Sequence, residues 1–191
     1  MKDLPLILAS ASPRRKDLLQ TLNLQFRIIP SHIEETNMPG SPEEKARAWA
    51  LQKAEAIARE FHGIIIGADT IVVLGEKIFG KPRDVYEAKH MLSQLSGKTH
   101  SVITGLALIN TQTNCRISES VETKVTFRSL ETGEIDSYVA SGEPMDKAGA
   151  YGIQGTGAHF VEKLEGCYTN VVGLPLTSFR KYLQKILEKS N

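Results

Sequence analysis

Ile64-Ile65-Ile66-Gly67-Ala68-Asp69-Thr70-Ile71-Val72-Val73-Leu74 is the stretch that decides the fold class. Two apolar runs flank a short Gly-Ala-Asp-Thr interruption, which reads as a strand buried inside an α/β sheet. Upstream, the apolar run Leu4 to Ala9 gives way to Ser10-Ala11-Ser12-Pro13. That is a strand followed by a helix start, with Ser12 suited to the N-cap and Pro13 to the first helical position. Leu18, Leu19 and Leu22 carry the helical stripe onward, and Leu24 to Ile29 reads as a second strand. Ser41-Pro42-Glu43-Glu44 spells a capping box with proline in the first turn. Ala46, Ala50, Ala54, Ile57, Ala58 and Phe61 follow it at helical spacing.

Beyond the central run, Gly75-Glu76 marks a hairpin. Asp84 and Glu87 open another helix, carried by Ala88, Met91, Leu92 and Leu95 and ended by Gly97. His100 to Ile109 and Glu119 to Phe127 read as long strands, the second alternating Val121, Thr123, Val125 and Phe127. A short helix over Gly133 to Ala140 precedes a glycine-punctuated loop from 142 to 157. A strand near Phe160 to Leu164 and a helix opened by Pro175 complete the chain. The order predicts an α/β fold with a mixed, partly antiparallel sheet flanked by helices.

Composition narrows the class. The chain has 191 residues, 41% hydrophobic, with 23 basic and 22 acidic side chains and a formal net charge of +1. Such a chain can bury a core and is not disordered. No stretch approaches the roughly 18–20 apolar residues of a membrane span, and Met1-Lys2-Asp3-Leu4-Pro5 does not read as a secretory signal. Cys115 and Cys167 are too few and too separated for a disulfide framework or a CxxC metal site. These features predict a reduced, cytoplasmic protein with no membrane and no stable nucleic-acid partner.

The chemistry-bearing residues begin at the first strand-to-helix junction. A helix N-terminus offers unpaired N–H groups and partial positive charge. Arg14 and Arg15 add like charge there, where stability alone would favour an acid. A phosphate held by those N–H groups, the hydroxyls of Ser10 and Ser12 and a guanidinium reconciles the two; solvation or pairing with acids is the alternative. Lys53 lies on the apolar stripe of its helix, where it needs a partner or must snorkel to an edge. Asp69 is either buried, and then needs a cation, metal or donors, or faces a cleft. Thr70 beside it adds a hydroxyl, and Lys81 on a Gly-Lys-Pro turn is a plausible phosphate contact or an ordinary turn lysine. Glu34-Glu35 offers a carboxylate to a divalent ion or simply to solvent. Gln154, among glycines, carries an amide donor and acceptor matched to a neutral base edge. The five histidines show no ligand spacing. GxGxxG, P-loop and G-x-S-x-G patterns are absent, which disfavours a covalent serine mechanism. Basic groups, hydroxyls and one or two carboxylates suit water attack on a phosphoanhydride, assisted by a divalent ion.

Six segments, in this order, resemble the Maf family of nucleoside triphosphate pyrophosphatases. They are Leu8-Ala9-Ser10-Ala11-Ser12-Pro13-Arg14-Arg15, Gly67-Ala68-Asp69-Thr70, Gly80-Lys81-Pro82, Leu95-Ser96-Gly97, the run from Glu143 to Gly155, and Val172-Gly173-Leu174-Pro175-Leu176. The likeness spans Leu6 to about Leu176. It implies a single Maf-like domain over residues 1–191, similar to inosine triphosphatases in fold, with two lobes and a central cleft; a homodimer is among the partners it implies. It also implies hydrolysis of a nucleoside triphosphate to the monophosphate and pyrophosphate. Asp69 resembles the family's proton acceptor, Ser10, Arg15, Lys53 and Lys81 its polar and basic cleft residues, and Glu35, rather than Glu34, its metal-side carboxylate. Arg14, Thr70 and Gln154 resemble the members acting on dTTP and UTP; members acting on 7-methyl-GTP carry an aromatic residue after the proline and an acid at the glutamine position. The cofactor implied is Mg2+ or Mn2+, bridging phosphate oxygens to Asp69 and Glu35. Two other expectations compete: a purine triphosphate substrate, and a regulatory protein of cell division that binds a nucleotide without turning it over.

Overall fold

A computed structural model describes residues 4–33 and 38–188. Glu34 and Glu35 therefore lie outside the described residues. The chain forms two compact units by internal contacts: Met1–Asp69, Thr104–Val121 and Gly173–Asn191 make the first, Thr70–Ile103 and Glu122–Val172 the second.

In the first unit, β1 (Leu6–Leu8) runs into α1 (Pro13–Gln20), then β2 (Phe26–Ile28), α2 (Pro42–Ala58) and the start of β3 (Ile64–Leu74). Both β2 and β3 pair with β1 in parallel, Leu6 lying opposite Phe26 on one side and Ile64 on the other. The chain thus leaves β1 toward one neighbour and returns on the other side, which makes the C-terminal end of β1 a topological switch point. The capping box forms as read: Ser41 Oγ accepts from the Glu44 amide, and Glu44 Oε2 accepts from the Ser41 amide at 2.8 Å. Pro42 opens α2, as expected.

How closely α2 approaches the sheet depends on two glycines. A Cβ on Gly67 would stand 2.1 Å from the Ala50 carbonyl oxygen, and one on Gly105 2.0 Å from that of Ala46. Only glycine accepts such an approach. The alanine face of α2 consequently packs into a core with Ile7, Ala9, Ile57, Ile65, Ala107 and Ile109. Helix α6 (Leu176–Glu188) buries Phe179 and Ile186.

The second unit carries the rest of β3, the antiparallel β4 (Lys77–Phe79) across the expected hairpin, and α3 (Val85–Leu95) capped by Asp84. It also holds α4 (Thr132–Ala140), β7 (Val161–Glu165) and the short α5 (Tyr168–Val172). Helix α5 is not expected from the sequence, because five residues rich in β-branched side chains carry no helical stripe. β5 (Thr99–Asn110) and β6 (Cys115–Phe127) run through both units, as β3 does. β6 begins earlier than expected, at Cys115; Arg116, Ser118, Glu119 and Ser120 around the single Ile117 mask the alternation at its start. Sheet order is β2-β1-β3-β5-β6-β7 with β4 on β3, a seven-stranded mixed sheet flanked by helices. The core of this unit gathers Phe79, Leu92, Leu95, Val125, Phe127, Tyr138 and Phe160. The 142–157 region is a chain of three 3-10 turns rather than an open loop. Among the described residues no helix is long and apolar enough to cross a membrane.

Candidate active site

Ser10 follows β1 directly, and its side chain is buried because the Ala9 amide still bonds to the Ile66 carbonyl, keeping the chain on the sheet. Its Oγ accepts the Ser12 amide at 3.2 Å and Arg15 Nη1 at 3.1 Å. Ser12 caps α1, its Oγ accepting from the Arg15 amide at 3.5 Å, with Pro13 at the first position. No acid occupies that first turn. Arg15 is half-buried, and its Nε donates to the Gly173 carbonyl at 2.9 Å. Sequence spacing does not bring Gly173 to Arg15, 158 residues away; the fold does. Arg14 sits half-buried in the same turn.

Lys53 and Asp69 solve one another's problem. The lysine lies on the inner face of α2 and the acid is buried in β3; Lys53 Nζ is ion-paired with Asp69 Oδ1. Their side chains are 13% and 5% exposed, so each offsets the desolvation of the other. The close approach of α2 at Gly67, two residues before Asp69, sets the reach of this pair. By register, Leu8 is opposite Ile66. Ser10 and Asp69 therefore both lie just past the stretch that β1 and β3 share, Ser10 beyond the C-terminal end of β1 and Asp69 midway along the longer β3. The end of β1 is where open α/β sheets place their ligands.

In the second unit, Lys81 and Gln154 are exposed. Their segments are tied together: the Gly149 amide donates to the Gly80 carbonyl at 3.0 Å. Thr70 follows Asp69 in β3 and is half-buried, its side chain on the opposite side of the pleat. The first unit thus unites Ser10, Ser12 and Arg15, and pairs Lys53 with Asp69.

Among the described residues no group of three or more His, Cys, Asp or Glu could hold a metal ion. A hard divalent ion takes oxygen ligands and needs as few as one or two of them from protein carboxylates. Asp69, a buried carboxylate, has the chemistry that such an ion takes.

The family described as Maf-like protein matches residues 5–186. A dTTP/UTP pyrophosphatase of Syntrophomonas wolfei is 52% identical over 89% of this chain and 91% of its own. One of Ruminiclostridium cellulolyticum is 46% identical over 96% and 97%. One of Bacillus cytotoxicus is 49% identical over 94% of each.

Proposed function

Because the chain belongs to the Maf-like protein family, we propose that it hydrolyses dTTP and UTP to the monophosphate and pyrophosphate. The single observation that carries the reading is the buried Lys53–Asp69 pair beside the capped, arginine-bearing N-terminus of α1 at the sheet's switch point. A carboxylate, an ammonium, a guanidinium and the positive end of α1 together suit a polyphosphate and an attacking water. The relatives named dTTP/UTP pyrophosphatase support the same substrates.

In this reading the α1 N-terminus, Ser10, Ser12 and Arg15 hold phosphate oxygens, with Lys53 and Lys81 adding charge against the leaving pyrophosphate. Asp69 accepts a hydrogen bond from water and aims it at the α-phosphorus. The water oxygen bonds to phosphorus, the bridging P–O bond to pyrophosphate breaks, and the water proton passes to Asp69. Asp69 and Glu35 would hold Mg2+ or Mn2+, which supplies charge neutralisation on the phosphate oxygens and a more acidic water. Gln154 contacts the pyrimidine edge, with Arg14 and Thr70 contributing to the choice of substrate. The nucleotides are those of the cytoplasm, where Cys115 and Cys167 are thiols.

Pyrophosphate release from a panel of dTTP, UTP, CTP, dGTP and 7-methyl-GTP, with and without chelator, tests this. Fast release from dTTP and UTP alone, abolished by chelator, is expected. Preference for dGTP or 7-methyl-GTP, or nucleotide binding without release, would overturn it.

A further inference from the structure

Gln154 is exposed, so packing does not fix its side chain; its placement depends on the backbone that carries it. That backbone is gripped from both sides. Tyr138, buried on α4, accepts the Gly152 amide at its hydroxyl (3.2 Å) and donates the hydroxyl proton to Glu143 Oε1 at 3.0 Å. The other oxygen of the same carboxylate, Oε2, accepts the Thr156 amide at 3.4 Å. Gly152 and Thr156 lie two residues before and two after Gln154, so one Tyr–Glu pair reaches both flanks of the turn.

The surroundings leave little slack. Gly155 holds φ +75°, and a Cβ there would stand 3.3 Å from Glu143 Oε1. A Cβ on Gly157 would stand 2.3 Å from the Gly152 carbonyl and 2.8 Å from the Tyr138 hydroxyl. Glu143 is steadied in turn, since Lys147 Nζ donates to its carbonyl at 2.5 Å and to Asp146 Oδ1 at 2.7 Å. The proposed hydrolytic step uses none of these side chains. Its geometry is spent on the course of residues 152–156.

We propose that Tyr138 and Glu143 are positioning residues for nucleobase selectivity, acting as a clamp that holds Gln154 where it reads the base. The inference rests on the reading of Gln154 as the base-contacting residue. Uracil and thymine differ from cytosine by reversal of a donor–acceptor pair, O4 and N3–H against N4–H2 and N3, so a side-chain amide discriminates only if its origin is fixed. Loosening the clamp lets the amide follow either edge, and selectivity falls while the hydrolytic step proceeds.

The test compares Tyr138→Phe, Glu143→Gln and Gln154→Ala with the parent protein. It measures kcat and KM for dTTP and CTP, together with amide hydrogen exchange over residues 152–157. Expected for Tyr138→Phe are faster exchange in that segment, a KM for dTTP raised with kcat within about twofold, and a dTTP-to-CTP ratio of kcat/KM reduced about threefold to tenfold, the effect of one lost hydrogen bond. Glu143→Gln keeps an acceptor for one bond but not both, and falls between parent and Tyr138→Phe. If Tyr138→Phe does not fold, Glu143→Gln alone decides, through the same ratio. An unchanged ratio in the clamp variants, with a lowered one in Gln154→Ala, overturns the clamp and leaves Gln154 as base reader. An unchanged ratio in Gln154→Ala overturns the reading of Gln154 and the clamp's role with it.

Discussion

Lys53 Nζ is ion-paired with Asp69 Oδ1 across the junction of helix α2 and strand β3, with both side chains largely withdrawn from water. The pair links structure to chemistry, since the acid proposed to aim water is held by the helix that the glycines draw onto the sheet.

Breaking one half strands the other charge. Lys53→Met should destabilise the protein by about 3 kcal/mol, the usual cost of an orphaned buried ion. Lys53→Met combined with Asp69→Leu should recover most of that loss without recovering activity. Urea denaturation of the parent, the single and the double variant measures it; Lys53→Met within about 0.5 kcal/mol of the parent would remove the pair from the stability account.

The packing of α2 predicts a contrast between two glycines. Gly67→Ala must push against the Ala50 carbonyl, and overpacking of this kind costs about 1–3 kcal/mol. It should also lower turnover by shifting Lys53 relative to Asp69. Gly133, in α4 with open space at its Cβ position, should instead gain about 0.5–1 kcal/mol when replaced by alanine. Equal melting temperatures for the two variants would contradict the close-approach argument.

Arg15 bonds two fixed acceptors through a planar fork, the Gly173 carbonyl and Ser10 Oγ. Lysine carries the charge but not the fork. Arg15→Lys should lower kcat/KM for dTTP about tenfold to a hundredfold, the range for lost hydrogen bonds to a charged group. Steady-state pyrophosphate release reads this directly, and parent-like kinetics in the variant would leave charge alone as the requirement.

Acid sensitivity should trace to His100. It is 2% exposed, Nε2 lies 2.8 Å from the Tyr151 hydroxyl, and burial pushes its pKa down to about 4. Above pH 6.5 both the folded and unfolded imidazoles are neutral and the full stability is present. As pH falls below 6.5 the unfolded state takes up the proton first, and stability is lost progressively until about pH 4, by about 3 kcal/mol in total. His100→Gln removes that slope between pH 6.5 and 4.5; denaturation at several pH values showing the same slope in both proteins would assign it elsewhere.

Much of this architecture is legible locally. The Ser41 capping box, Pro13 and the Asp84 cap mark three helix starts because each is written in adjacent residues. The central strand is legible because it is apolar throughout except at Asp69 and Thr70. Lys53 and Asp69 each read as a charge needing company, but their pairing does not follow from either, since it depends on how closely α2 lies on the sheet. The Tyr138–Glu143 clamp is hidden for a similar reason. Tyr138 sits among Ile135 and Val139 on a buried helical face and reads as core, and only its hydroxyl, reaching Gly152, shows otherwise. Glu35, which the family resemblance marks, lies outside the described residues.

The central claim is that Asp69 aims the attacking water while other groups hold the nucleotide. Pyrophosphate release from dTTP by Asp69→Asn, measured beside calorimetric dTTP binding to the same protein, tests it most directly. The account predicts turnover reduced about 10²–10⁴-fold with binding still measurable; a parent-like rate in Asp69→Asn would contradict it.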